Sequence, residues 1–317
     1  MPYTDSITGS DALALIPEEV ASEIISGIEV TSAVMQLMRR ARMTRAQQRL
    51  PVLSALPTAY FVASGGGLKQ TTKLAWANKY LVAEEIAVIV PIPEAYLDDS
   101  EFDIWGEVKP KIAEAFAVAI DAAVLFGTDK PDTWGKDVYQ HAIDAGNAVV
   151  RGAVSGQDVA GDVSDAMALA ENDGFDVNGH VARRSMRSTF RNLRDDNGQP
   201  IFSAGIPNKE PATLWGEPLR YISNAAWDTG NASLMTGDWN QGIFATRQDI
   251  TYKMLTEASI HDAEGNLVYN FAQQDMVGLR CVGRFAYQVA NAINREGVYS
   301  GQSPFAVVHP TGWTTEV

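Results

Sequence analysis

The chain has 317 residues, of which 46% are hydrophobic and 20% are charged, and 25 Lys and Arg stand against 39 Asp and Glu for a formal net charge of -14. This composition is typical of a globular protein with a substantial core, and it excludes a largely disordered chain. It also excludes nucleic-acid binding by the whole surface, because an acidic surface repels phosphates. Any contact with DNA is therefore expected to be local.

The sequence offers few residues for catalysis or metal binding. Cys281 is the single cysteine, which excludes an internal disulfide and indicates a reducing compartment. The histidines are far apart in sequence, and neither a phosphate-binding glycine loop nor a serine nucleophile elbow is present. We expect no cofactor, no metal site and no membrane contact, since no apolar run reaches the roughly 18 residues that a span needs. Carboxylates distant in sequence could still meet in the fold and support catalysis.

The N-terminal region predicts a helix of strong charge polarity. Its first twelve residues have neither the basic start nor the apolar core of a secretion signal, so we expect assembly or action in the cytoplasm. Pro17 opens the predicted helix with Glu18, Glu19 and Glu23 near its positive end. Five arginines lie towards the helix end or just beyond it: Arg39, Arg40, Arg42, Arg45 and Arg49. They indicate either contact with a polyanion or an acidic neighbour, or a solvated helix end.

The next segment predicts a long two-stranded arm. Residues 47–62 and 74–90 are extended in character, and the glycines 65–67 lie near the turn between them. A ribbon of this kind buries too little apolar surface to be stable alone. Apolar and aromatic side chains nevertheless lie along it: Tyr60, Phe61, Leu74, Trp76 and Tyr80. We expect the arm to pack on another subunit, and the alternative is an ordinary hairpin folded back on its own domain.

An apolar strand followed by a long helix is the most informative part of the chain. Residues 86–92 are apolar on both faces, which predicts a buried strand that ends at Pro91 and Pro93. A helix is predicted from Ser100 to the stop at Gly127, with a bend but no break at Pro110. Apolar residues recur on one face of this helix at steps of three and four: Trp105, Val108, Ile112, Phe116, Ala119, Ala123 and Phe126.

The remainder mixes helices and strands and predicts an α+β fold. Helices are expected at 138–150 and 164–172, and a basic amphipathic helix at 179–193. A DNA recognition role for that basic helix is disfavoured, because no second helix with a short glycine turn precedes it. Strands are expected at 219–222, 242–246, 250–255, 275–290 and 307–308.

The segment from Lys79 to Gly127 resembles the matching region of tailed-phage major capsid proteins of the Hong Kong 97 type. The matching motifs are Ile92-Pro93-Glu94, Leu97-Asp98-Asp99-Ser100 and the alanine-rich stretch from Asp121 to Gly127. Further matches follow in order: Phe190 to Asp195 with Gly198, Leu214 to Leu219, Gly237-Asp238-Trp239 with Ile243 to Arg247, Arg280 with Arg284 and Phe285, and Pro304 to Val308. The resemblance therefore runs from about residue 16 to residue 310.

The resemblance implies a division of the chain into the parts of a capsid subunit. Residues 1–46 would form an N-terminal arm and residues 59–79 the extended loop that lies over a neighbouring subunit. Residues 47–58, 80–135 and 241–295 would form the peripheral domain, with its spine helix at about 100–127. Residues 136–240 and 296–317 would form the axial domain around the fivefold and sixfold positions.

The function that the resemblance implies is that of a non-enzymatic shell subunit. Hexamers and pentamers of the chain would tile an icosahedral shell around phage double-stranded DNA, assembled in the host bacterial cytoplasm and retained in the virion. The implied partners are other copies of the chain, a separate scaffolding protein, a portal, a decoration protein on some shells, and DNA held by non-specific contact. The alternatives are an encapsulin-type nanocompartment shell and a soluble enzyme with a carboxylate-based site.

Particular residues follow from this interpretation. The candidates for contact between subunits are Tyr60, Phe61, Lys69, Lys73, Trp76 and Tyr80. The candidates for an inner basic surface facing DNA are Arg39, Arg40, Arg42, Arg45 and Arg49. Some family members link subunits covalently through a lysine of the extended loop, which Lys69 and Lys73 match by position only. No acceptor asparagine can be assigned, so no crosslink is predicted.

Overall fold

The computed structural model describes residues 32–57, 59, 61, 71–95, 104–194, 197, 199, 213–222, 225–262, 264–290, 294 and 301–314. Six α-helices lie in these ranges: α1 Ala33–Leu37, α2 Ile104–Phe126, α3 Val138–Ala145, α4 Val159–Asn172, α5 Met186–Arg191 and α6 Phe271–Gln274. The first seven strands are β1 Arg39–Arg42, β2 Gln47–Ala55, β3 Ala75–Val82, β4 Glu84–Pro93, β5 Ala148–Val150, β6 Gly179–Arg183 and β7 Thr213–Leu214. The other seven are β8 Glu217–Ile222, β9 Leu234–Gly237, β10 Gly242–Leu255, β11 Ser259–His261, β12 Leu267–Asn270, β13 Met276–Val289 and β14 Phe305–His309.

A four-stranded sheet and the long helix α2 share the main core. The strand order is β1-β10-β13-β4, with β1 parallel to β10 and the other neighbours antiparallel. One side of α2 packs into this core, where Phe116 and Ile120 are fully buried. Phe244 and Phe285, from β10 and β13, stack in the same core with ring centroids 5.6 Å apart. The predicted strand-to-helix order is therefore confirmed as the framework of this part of the chain.

Strand β4 departs from the prediction of burial on both faces. Its inward side chains, Ile86, Val88 and Val90, pack against the main core, but Ile89 on the other face is 40% exposed. Among the described strands, β4 pairs only with β13 and lies at the edge of the sheet. Such a position tolerates proline, and the strand continues through Pro91 to Pro93. A single exposed isoleucine is ordinary on a protein surface and indicates no contact by itself.

Helix α2 matches the prediction in length but not fully in its buried face. It is continuous from Ile104 through Pro110, so a break is excluded, while the bend stays a prediction. Gly127 follows with φ +71°, which confirms the helix stop at a residue free to adopt left-handed backbone. The predicted capping residue Ser100 lies outside the described residues. Ala119 was placed on the buried face and is exposed, because the helix contacts the sheet along a stripe centred on Ala113, Ala117, Ile120 and Val124.

A six-stranded sheet in the order β5-β14-β9-β6-β8-β7 supports a second core. Helix α4 packs on the β5, β14 and β9 side of this sheet. The late strands were predicted near their observed positions, although 242–255 forms one long strand with irregular register near Gln248. The hairpin of β11 and β12 was not predicted.

Two predicted helices are partly wrong in this second region. Residues 148–150 form strand β5 and not the end of a helix, because Gly146 ends α3 with φ +79°. Residues 179–183 form the central strand β6, and only Met186–Arg191 is helical. Four consecutive residues of β6 are buried, so their hydrophobicity has no period that distinguishes a strand from a helix.

Candidate functional site

A hairpin of β2 and β3 exposes aromatic side chains, as the sequence predicts. The strands pair antiparallel from Gln47 with Val82 to Ala55 with Ala75. Trp76 is 61% exposed, Tyr80 is 47% exposed and Phe61, beyond the end of β2, is fully exposed. Large aromatic side chains dominate the energetics of protein interfaces, and clusters of them on a surface mark contact sites. The hairpin is therefore a candidate surface for contact with another protein chain.

The base of this hairpin is fixed to the four-stranded sheet. The Lys79 Nζ donates a hydrogen bond to the Val289 backbone oxygen at 2.9 Å. The Gln288 Nε2 donates to the Tyr80 backbone oxygen at 3.2 Å, and Leu81 is buried below it. Partial burial lowers the pKa of the Lys79 ammonium. The exposed part of the hairpin thus extends from an anchored base.

The predicted contact residues fall into two groups. Tyr60 and Lys69 lie outside the described residues. Phe61, Lys73, Trp76 and Tyr80 are exposed, and the last two lie on β3. Their roles between subunits stay predictions, because they concern a second copy of the chain.

The five arginines lie beyond the end of helix α1, and four of them lie in strands. Helix α1 ends at Leu37, and Arg39, Arg40 and Arg42 belong to the edge strand β1, which pairs parallel with β10. Arg45 lies in the following bend, and Arg49 lies in β2 opposite Tyr80. The prediction placed the arginines towards the end of a helix or just beyond it, and they lie beyond the end of α1. Residues 17–31 of the predicted helix lie outside the described residues. Residues 39–42 form a strand because they pair with β10, and the charge pattern of the sequence did not predict this strand.

All five arginines are exposed and follow one edge of the four-stranded sheet into the hairpin base. Alternation along β1 places Arg40 and Arg42 on one face and Arg39 on the other. The Arg40 Nε donates to the Met35 backbone oxygen at 3.0 Å, which fixes its side chain. The five arginines thus form a basic margin of the sheet.

A buried carboxylate joins α1 to α2 and was not identified from the sequence. Asp121 accepts hydrogen bonds from the Ser32 Oγ at 2.6 Å, the Ala33 backbone N–H at 3.1 Å and the Val34 backbone N–H at 3.2 Å. The Ser32 Oγ in turn accepts from the Met35 N–H at 3.2 Å, so the start of α1 is capped by both side chains. The sequence feature that could have identified Asp121 is its place as a single acidic residue in an otherwise uncharged stretch of α2.

A recess of about 850 Å³ lies between α2 and the edge strand β4. Ala115 and Ala119 form part of its helix side. Glu114 is paired with Lys111 at 3.1 Å, and Glu85 with Arg284 at 2.9 Å. Catalysis by two carboxylates requires both to face one substrate. Because Glu114 and Glu85 each face a cation of the protein, this recess does not support the enzyme hypothesis.

A smaller recess of about 370 Å³ lies beside the base of the hairpin and brings together Lys79, Lys136 and His141. Burial, followed by the nearby charges of Lys79 and Lys136, lowers the pKa of His141 to about 4. Lys136 also forms an ion pair with Asp144 on α3. The imidazole is therefore neutral near pH 7 and lies beside charges of both signs.

The described part of the chain contains neither a cluster of metal ligands nor a helix that could span a membrane. No group of three His, Cys, Asp or Glu side chains within it is placed to hold a metal ion. Among the helices of these ranges, none is both long and apolar enough to cross a membrane.

A long helix packed on a four-stranded sheet, a second sheet of six strands and an exposed hairpin together define a capsid subunit of the Hong Kong 97 type. The sequence profile of the phage capsid family matches residues 13–294. The chain therefore belongs to the phage capsid family.

Similar proteins support this assignment over nearly the whole chain. The major capsid protein of Staphylococcus phage 80alpha is 28% identical over 275 residues, which cover 86% of this chain and 81% of that protein. A solved structure from Microbacterium phage Oxtober96 is 39% identical with a TM-score of 0.77, and the match covers 96% of this chain and 100% of that one. A solved structure from Mycobacterium phage Cain is 31% identical with a TM-score of 0.78, covering 97% and 99% of the two chains. The chain is accordingly a structural protein of a phage capsid.

Proposed function

We propose that the chain is a non-enzymatic major capsid protein that assembles as hexamers and pentamers into the icosahedral shell around phage double-stranded DNA. The observation that carries this proposal is the anchored hairpin with exposed Trp76 and Tyr80, on a chain of the phage capsid family. Closed shells arise from repeated contacts between identical subunits, and a projecting element that reaches a neighbour adds buried area to each contact.

The two large sheets support the proposed division of the chain into two domains. The four-stranded sheet with α2 corresponds to the proposed peripheral domain and its spine helix, and the six-stranded sheet corresponds to the proposed axial domain. The β2–β3 hairpin corresponds to the proposed extended loop, with Phe61, Lys73, Trp76 and Tyr80 facing a neighbouring subunit. Tyr60 and Lys69 complete the proposed contact set from the sequence alone.

The basic margin formed by Arg39, Arg40, Arg42, Arg45 and Arg49 is proposed to face the DNA. Exposed arginines on a chain of net charge -14 supply the local positive charge that non-specific phosphate contact requires. A separate scaffolding protein, a portal and, on some shells, a decoration protein are the further proposed partners. Assembly is proposed to take place in the host bacterial cytoplasm.

The experiment is expression of the chain with and without its scaffolding partner, followed by sedimentation and negative-stain electron microscopy. Closed shells, hexamers or pentamers are expected from the wild-type chain. The double variant Trp76→Ala/Tyr80→Ala is expected to remain folded by circular dichroism, because both side chains are exposed, yet to form shells at least about tenfold less efficiently. A stable wild-type monomer under both conditions would overturn the proposed function.

DNA contact is tested separately on assembled particles. Arg39→Gln/Arg42→Gln is expected to leave assembly intact and to weaken the salt-dependent association of DNA with the shell. The matched control Arg280→Gln removes an exposed arginine from β13, away from the basic margin. Equal DNA association for both variants would contradict an inner position of the basic margin.

A further inference from the structure

The second sheet domain contains two adjacent charge blocks of opposite sign. Between residues 152 and 182 the sequence has no Lys or Arg and the following acids: Asp158, Asp162, Asp165, Glu171, Asp173 and Asp176. Between residues 183 and 194 it has no Asp or Glu and the following bases: Arg183, Arg184, Arg187, Arg191 and Arg194. Asp195 and Asp196 come next and lie outside the described residues. The first block contains α4 and the second contains α5.

The two helices share a core but carry their charges on other faces. Val163 and Ala166 of α4 pack with Met186 and Phe190 of α5 in the second core. Helix α4 lies over β5, β14 and β9, which form one half of the six-stranded sheet. Helix α5 lies between β6 and β8 along the chain, in the other half of the sheet. The acidic and the basic residues therefore lie on two neighbouring helices of one core.

Four arginines of the basic block form a stripe, which we call the arginine stripe: Arg184, Arg187, Arg191 and Arg194. Their spacing of three, four and three residues places them along one side of α5 and its flanking turns. The Arg187 guanidinium lies 4.6 Å from the centre of the Tyr221 ring on β8. The Arg191 Nε donates to the Arg187 backbone oxygen at 3.2 Å. All four side chains are exposed.

The arginine stripe has no counter-charge within the part of the chain that the structure describes. No carboxylate oxygen there lies within 4.0 Å of its guanidinium groups. Like charges three or four residues apart on a helix repel each other. Such repulsion in the free subunit would be relieved by an anionic partner.

Helix α4 and its N-cap residue expose three carboxylates, which we call the α4 acidic face: Asp158, Asp165 and Glu171. The Asp158 Oδ1 accepts from the Gly161 backbone N–H at 2.9 Å, and the Asp165 Oδ2 accepts from the Gln157 Nε2 at 2.7 Å. Both contacts are to neutral groups. Within the described residues these carboxylates have no cationic partner either.

We propose that the arginine stripe of one copy binds the α4 acidic face of the next copy. This inference rests on the proposed shell function and names the charged surfaces by which neighbouring subunits associate. Two different surfaces on one subunit that are complementary form a head-to-tail contact, and such contacts close into rings. Complementary charge also steers encounter and disfavours wrong orientations, which suits repeated contacts that must form in one register.

Charge reversal followed by charge exchange tests the contact. Arg187→Glu/Arg191→Glu reverses the arginine stripe, and Asp165→Arg/Glu171→Arg reverses the α4 acidic face. Each double variant is expected to raise the protein concentration needed for assembly at least about tenfold, measured by sedimentation velocity and electron microscopy. The variant with all four substitutions is expected to assemble within about threefold of wild type, because every contact again joins opposite charges. The wild-type threshold should rise with salt concentration.

The control is Lys253→Glu/Arg280→Glu, which makes the same charge change at exposed cross-strand neighbours of the other sheet. It is expected to assemble as wild type does, and circular dichroism melting checks that each variant is folded. Normal assembly of both double variants, an equal defect in the control, or no recovery in the fourfold variant would overturn the proposal. Normal assembly with reduced DNA content in the arginine variant would identify a nucleic-acid surface and also overturn it. Failure of wild type to assemble would instead refute the shell function.

Discussion

Removal of the Asp121 carboxylate should destabilise the junction of α1 and α2 strongly. In Asp121→Ala, the backbone N–H groups of Ala33 and Val34 lose an acceptor while the surrounding residues stay buried. An unsatisfied buried donor costs about 1–3 kcal/mol, and the Ser32 hydroxyl loses a charge-assisted bond as well. We therefore expect a loss of about 3–5 kcal/mol in the free energy of unfolding.

Urea unfolding of the unassembled subunit, followed by far-UV circular dichroism, measures this loss. Asp121→Asn keeps one acceptor oxygen but directs an amide donor at a backbone donor, so a smaller loss of about 1–2 kcal/mol is expected. The matched control is Glu114→Ala on the same helix, whose exposed ion pair with Lys111 should contribute no more than about 0.5 kcal/mol. A change below about 0.5 kcal/mol for Asp121→Ala would refute the assigned role of the carboxylate.

Two further predictions concern a glycine and a histidine. Gly237 has φ +156°, and a Cβ there would lie 2.2 Å from the Pro304 backbone oxygen, so Gly237→Ala should lower the melting temperature by several degrees. The control Gly230→Ala should change it little, because Gly230 has no positive φ and a Cβ there would meet its nearest atom at 3.4 Å. Burial holds the pKa of His141 at about 4 in the folded chain against 6.5 for the ordinary group, so the unfolded chain binds the proton first as pH falls. The contribution of His141 to the free energy of unfolding should therefore decrease from about pH 6.5 to pH 4 and then stay constant. In urea unfolding, His141→Gln should reduce the pH dependence of that free energy over this range by the equivalent of one bound proton. A slope that is unchanged in the variant would contradict the assignment.

Patterns with a clear period allowed accurate prediction from the sequence. The apolar steps of three and four in α2 predicted a long helix that ends at Gly127, and the extended segments around residues 65–67 predicted the hairpin. These features depend on local spacing and on residues with strong backbone preferences. The order of motifs along the chain indicates the capsid fold as well.

Segments whose structure depends on distant partners were predicted less well. Strand β6 is buried between β8 and β9, so its sequence lacks the alternation that marks a half-exposed strand. Arg39–Arg42 became a strand because β10 offers a parallel partner about two hundred residues away, whereas charge polarity alone suggested a helix end. Ile89 was expected to be buried, yet β4 is the sheet edge and its outer face is open.

The sequence by itself determined the fold class, the capsid family and the exposed aromatic hairpin, because these depend on periodicity and on the order of motifs along the chain. Only the tertiary structure decided which polar groups meet. Asp121 reaches residues 87 to 89 positions away, and the charge blocks around α4 and α5 lie on two helices that pack in one core. Such contacts are set by how helices and sheets pack, and a linear sequence records the residues but not the distances between them.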